Sequence, residues 1–168
     1  MIEDYEVFDA VRRGYSDFEY SDDNEIRNYF ADIDADSAMG HVSNIKGILF
    51  EMEYVDTLAA KGIEAEIFEA TNHPVTDIMI MDGLEVVDEM QLKATGSVTY
   101  INETLEAHPD VPVVVTTEVA SSFDTDMVID SGIENAVLED AVTSTLIDEV
   151  VNPVNPLSVL GWLFGLPF

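Results

Sequence analysis

Three features of the 168-residue sequence predict an α/β fold. A helical apolar stripe (Ile45, Ile48, Leu49, Met52, Val55, Ala59) follows Ser43, with spacings near the 3.6-residue helical period. Three β-rich runs, 63–70, 76–81 and 85–94, come next and are separated by turn signals. A second helical pattern over 97–107 then leads through His108-Pro109-Asp110 into the apolar run 111–117.

Each element has a local cause. Ser43 is placed to cap a helix from Asn44 to about Ala60, and Lys61-Gly62 to close it. Asn72-His73-Pro74 reads as a turn after the first strand, and Asp82-Gly83 as a hairpin after the second. Alternation along the third strand places Val87, Glu89, Gln91 and Lys93 on one face, with Val86, Asp88, Met90 and Leu92 on the other. A loop of Asp82-Gly83-Leu84 puts Asp77 opposite Glu89 and keeps the aliphatic residues together, and this register is expected. Before the core, Tyr5, Phe8 and Val11 suggest one helix and Ile26, Tyr29, Phe30 and Ile33 another, with Asp22 or Asp23 as its cap. The run Asp32-Ile33-Asp34-Ala35-Asp36 alternates carboxylates as a calcium loop does. It lacks that loop's glycine and closing glutamate, so it reads as a solvated acidic loop.

The expected organisation is an acidic helical extension over 1–42, a core over 43–120, C-terminal helices over 121–151 and an uncharged apolar tail over 152–168. The C-terminal helices are placed at 124–132 and 133–151. The tail carries eight large apolar side chains between Pro156 and Phe168, too short a run to span a bilayer. It is expected to dock on a protein partner or a second subunit, with Trp162 as anchor. The N-terminal Met-Ile-Glu-Asp-Tyr-Glu lacks the basic-then-apolar order of a signal peptide, so a cytoplasmic or virion-associated protein is expected.

Charge is the strongest compositional fact. Six basic residues face 35 acidic ones, a net charge of -29, and the acids are spread evenly along the chain. Three accounts compete: adaptation to high salt, a basic partner or assembly, and mimicry of nucleic acid by surface carboxylates. Without cysteine, disulfides and thiolate metal sites are excluded. The sequence also has no zinc-ligand spacing, Gly-rich phosphate loop or Ser-His-Asp arrangement. His41, His73 and His108 read as loop or cap residues.

The residues that carry chemistry are Glu51 in the helix, Asp77 at the second strand, and Gln91 and Lys93 in the third. Oxygen ligands with waters suit Mg2+, and a neighbouring lysine can balance charge developing on a phosphate. Lys46-Gly47-Ile48-Leu49-Phe50-Glu51, then Asp77, then Gln91-Leu92-Lys93, resembles the PD-(D/E)xK nuclease superfamily. Archaeal-type Holliday-junction resolvases and methyl-directed restriction endonucleases are the most similar in pattern. The resemblance covers roughly residues 43–120 and implies a restriction-endonuclease-like core: helix, three-stranded antiparallel sheet, helix, strand. It implies Glu51, Asp77, Gln91 and Lys93 as catalytic residues, a Mg2+ held by Asp77, Gln91 and Glu51, and DNA as substrate. Gln91 stands where many members have an acid, and Glu89, two residues earlier on the same face, is the expected compensating ligand. The alternative is an inactive nuclease-like fold serving as a binding or structural module, because so acidic a surface repels a duplex.

Overall fold

The computed structural model describes residues 1–68 and 74–147, and shows a mixed α/β architecture. Its described elements are α1 (Asp4–Gly14), α2 (Asp23–Ala31), α3 (Ala35–Ala60), β1 (Glu64–Ile67), β2 (Ile78–Asp82) and β3 (Glu85–Lys93). They continue with α4 (Val98–Ala107), β4 (Val113–Val115), α5 (Thr117–Ala120), β5 (Val128–Asp130) and α6 (Asn135–Leu146). The turn at Asn72-His73 and the docking tail lie outside the described residues. Among those described, no helix is long and apolar enough to cross a membrane.

The five strands form one sheet in the order β1-β2-β3-β4-β5. The β1–β2 and β2–β3 pairs are antiparallel, and β3–β4 and β4–β5 are parallel. The hairpin register differs from the expected one. Asp82 pairs with Glu85 and Met81 with Val86, and an irregularity at Ile80/Met81 then sets Ile80 opposite Asp88 and Ile78 opposite Met90. Two shifts of one residue each cause this: Asp82 pairs with Glu85, so the loop is Gly83-Leu84 rather than Asp82-Gly83-Leu84, and the bulge then adds one residue to β3 and shifts every pair below it. Glu89 therefore faces Met79, and the predicted Asp77–Glu89 like-charge pair does not form.

Helix α3 is longer than expected. Asp34, not Ser43, is its cap, accepting from Ser37 N at 2.9 Å and from Ser37 Oγ at 2.8 Å. The acidic run at Asp32–Asp36 is thus a helix start rather than a loop. His41 consequently lies within the helix, where its Nδ1 is 2.8 Å from the Tyr15 hydroxyl. The far end closes as anticipated, with Gly62 at φ 76°. Ile45 and Leu49 of the expected stripe are buried, and so are Phe50, Tyr54 and Leu58 on another side of the helix. A helix buried on two sides is sandwiched, and α3 packs on β1 and β3 and also on α1 and α6.

Residues 1–42 therefore do not stand apart. Val7, Phe8, Ala10, Val11, Ile26 and Phe30 share one buried cluster with Ile45, Leu49 and Phe50 of α3 and with Leu92 and Val114 of the sheet. On the opposite face, Val113 and Val115 pack with Ile101 of α4 and Val119 of α5. The segment expected as a helix over 124–132 holds β5 instead: Val128 and Ile129 are β-branched and pair in parallel with the wholly buried Val113–Val115. Helix α6 falls within the expected 133–151 segment.

Candidate functional site

A cleft of about 720 Å³ opens where the end of α1, the middle of α3, the start of β2 and the end of β3 meet. Each contributor is there for a local reason. Gly14 ends α1, and a Cβ at that position would lie 2.2 Å from Ile48 Cδ1. Glycine thus lets α1 approach α3 closely and carries the adjacent Arg13 to the cleft wall. Glu51 follows one and a half helical turns after Lys46, and Gly47 between them leaves the floor open. Asp77 precedes β2, and its Oδ2 accepts Leu92 N at 2.7 Å, which fixes the carboxylate against β3. Lys93, the last residue of β3, has its Nζ 5.7 Å from the centre of the Tyr100 ring.

Of the four residues read as catalytic, Glu51, Asp77 and Lys93 line this one cleft. Gln91 does not. Its register partner is Val113, its side chain is buried, and its Oε1 has no hydrogen-bond partner among the described residues. Glu89 is also outside the lining; it is exposed and accepts a 2.9 Å hydrogen bond from Thr76 Oγ1, and Thr76 does line the cleft.

The electrostatics of the cleft oppose those of the molecule. Arg13, Lys46 and Lys93 line it, three of the six Lys and Arg residues of the chain, whereas among the described residues its lining carboxylates are Glu51 and Asp77. Lys46 reaches Glu139 on α6 at 3.3 Å. Among the described residues, no carboxylate is within ion-pair distance of Arg13 or Lys93. The Arg13 guanidinium instead lies 3.4 Å from the Phe68 carbonyl oxygen. Burial and the nearby Asp77 charge push the Glu51 carboxyl up from 4.5 to about 7, against the opposing pull of Arg13 and Lys93.

Burial is the larger cause, and the effect of Asp77 adds to it because the two carboxylates share one cleft. Two carboxylates crowded in a half-buried cleft repel each other, and a hard cation removes the repulsion by binding both in ionised form. Glu51 and Asp77 fit Mg2+ as a two-carboxylate set, since this ion usually keeps several waters. Among the described residues no group of three acidic or histidine side chains gathers around a common point. The three-residue protein set implied by the resemblance is not gathered there, since Gln91 lies outside the lining.

Sequence reading missed Arg13 and Tyr100. For Arg13 a signal existed: in a chain with six cations, each one is scarce enough to be a candidate. For Tyr100 there was none, because only the docking of α4 brings it beside Lys93. Comparison with protein-family models, curated proteins and solved structures finds no match for this chain.

Proposed function

We propose that the cleft is a divalent-cation-dependent site for hydrolysing phosphodiesters, built on a restriction-endonuclease-like arrangement. The observation that carries this reading is the gathering of Arg13, Lys46 and Lys93 around Glu51 and Asp77 in a protein of net charge -29. Arg12 and Arg27 are paired off with surface carboxylates, whereas among the described residues Arg13 and Lys93 have no ion pair and Lys46 has one, with Glu139. Glu51 and Asp77 would hold Mg2+, which when bound polarises a phosphoryl group and makes water a better nucleophile. Arg13 offers a planar fork of donors to phosphate oxygens, and Lys46 adds a point charge. Lys93, steadied by the Tyr100 ring, balances the negative charge that grows on the phosphate as the reaction proceeds. The order α3, β1-β2-β3, α4, β4 supports the finer fold assignment.

Asp77→Asn is the decisive substitution. It keeps an oxygen that can accept Leu92 N but removes the charge. Mg2+-dependent cleavage of labelled oligonucleotides should fall by at least about a hundredfold, while circular dichroism and melting stay close to wild type. Undiminished cleavage would place the chemistry elsewhere.

A second reading is favoured by Gln91, which is buried away from the lining where an active nuclease would carry an acidic ligand. In it the cleft binds phosphodiesters without cutting them. Wild-type protein that binds oligonucleotides but cleaves none with Mg2+ or Mn2+ would establish that reading.

A further inference from the structure

We infer that the cleft takes a short single-stranded phosphodiester, spanning about three phosphates, and rejects a duplex. The inference rests on the reading of the cleft as a phosphodiester site and adds the class of substrate.

The supply of cations sets the limit. All six Lys and Arg residues of the sequence lie within the described regions. Arg12 is held by Asp9, Asp23 and the Ser21 carbonyl. Arg27 is held by Asp4, over the Phe8 ring. Lys61 lies at the far end of α3, outside the cleft lining. Arg13, Lys46 and Lys93 are the cations that line the cleft; among the described residues Arg13 and Lys93 make no ion pair, and Lys46 shares its charge with Glu139. Duplex-binding proteins commonly neutralise about six to ten phosphates. Here a fourth phosphate would find no cation in the cleft, and among the described residues every carboxylate but Glu51 and Asp77 lies outside the cleft lining. Each nucleotide added beyond the cleft therefore adds repulsion without contact.

Size and lining agree with this limit. About 720 Å³ accommodates a few nucleotide units but not a double helix with its groove walls. Tyr100 is 45% exposed on the cleft wall beside Lys93, and Phe68 lines the same space. Aromatic faces stack on the unpaired bases of a single strand, whereas a duplex keeps its bases stacked on one another.

The test is fluorescence anisotropy with the full chain in EDTA, comparing a labelled tetranucleotide with a labelled duplex of about 20 base pairs across 0.1–1 M KCl. The tetranucleotide should bind at least about tenfold more tightly than the duplex at the low-salt end. With three cations its log K against log[salt] slope should be about -2, and Arg13→Gln should flatten that slope by about 0.7. Tyr100→Ala should weaken tetranucleotide binding about tenfold while leaving the slope unchanged. Duplex binding as tight as that of the tetranucleotide, or failure of both to bind, overturns the inference. A tetranucleotide that binds as expected but survives added Mg2+ upholds the inference and defeats hydrolysis. Cleavage of the duplex in preference to the strand does the reverse.

Discussion

Glu51→Gln isolates the charge that the fold holds at a cost. The carboxyl has a value of about 7 in the native cleft against 4.5 in the unfolded chain. At pH 4 the group is largely protonated in both states, so its ionisation has little effect on stability. Between 4.5 and about 7 the unfolded chain releases the proton while the folded one keeps it, and stability falls as pH rises. Above about 7 the full cost applies. At about 1.4 kcal/mol for each tenfold change, the ceiling is about 3 kcal/mol, and partial water access lowers it to roughly 1–3 kcal/mol. Glutamine has nearly the same shape and no charge. Urea denaturation in EDTA should therefore show Glu51→Gln more stable than wild type by about 1–3 kcal/mol at pH 8 and nearly equal to it at pH 4. Adding Mg2+ at pH 8 should raise the wild-type midpoint more than the variant's, because only the wild type offers both carboxylates. A variant that is less stable at pH 8, or whose difference from wild type does not change with pH, would refute the picture of a Glu51 carboxyl raised by burial and by the Asp77 charge.

Two further outcomes follow from the fold and the surface. Phe8→Ala should cost about 3–5 kcal/mol in a single cooperative transition, because Phe8 is 1% exposed in the cluster shared with α3 and the sheet. A separate early transition would mark α1 as an independent unit. Thermal melts from about 0.1 to 3 M KCl should rise steeply, since salt screens the self-repulsion of a -29 chain; a flat or falling melting temperature would rule out salt adaptation.

Local signals in the sequence were sufficient for most elements. Helical spacing from Ile45 to Ala59, the Lys61-Gly62 stop and the β-rich runs each act within a few residues and produced the expected elements, and the hairpin signalled at Asp82-Gly83 forms with Gly83-Leu84 as its loop. Asp77 and Lys93 were legible for the same reason: a charged side chain beside apolar strand residues needs a polar site, whatever surrounds it. Tertiary packing decided the rest. A two-residue loop in place of three and a bulge in β3 together moved Asp77 away from Glu89, and no periodicity announces either shift. Short β5 is a strand only because buried β4 offers it an unpaired edge, so its sequence alone could pass as helix. The cleft itself depends on Arg13, which is distant in sequence from Lys46 and Lys93 and reaches them only because Gly14 lets α1 meet α3. Residue type and local spacing fixed which groups could carry chemistry. The close approach of helices and strands remote in sequence decided which of them share a site.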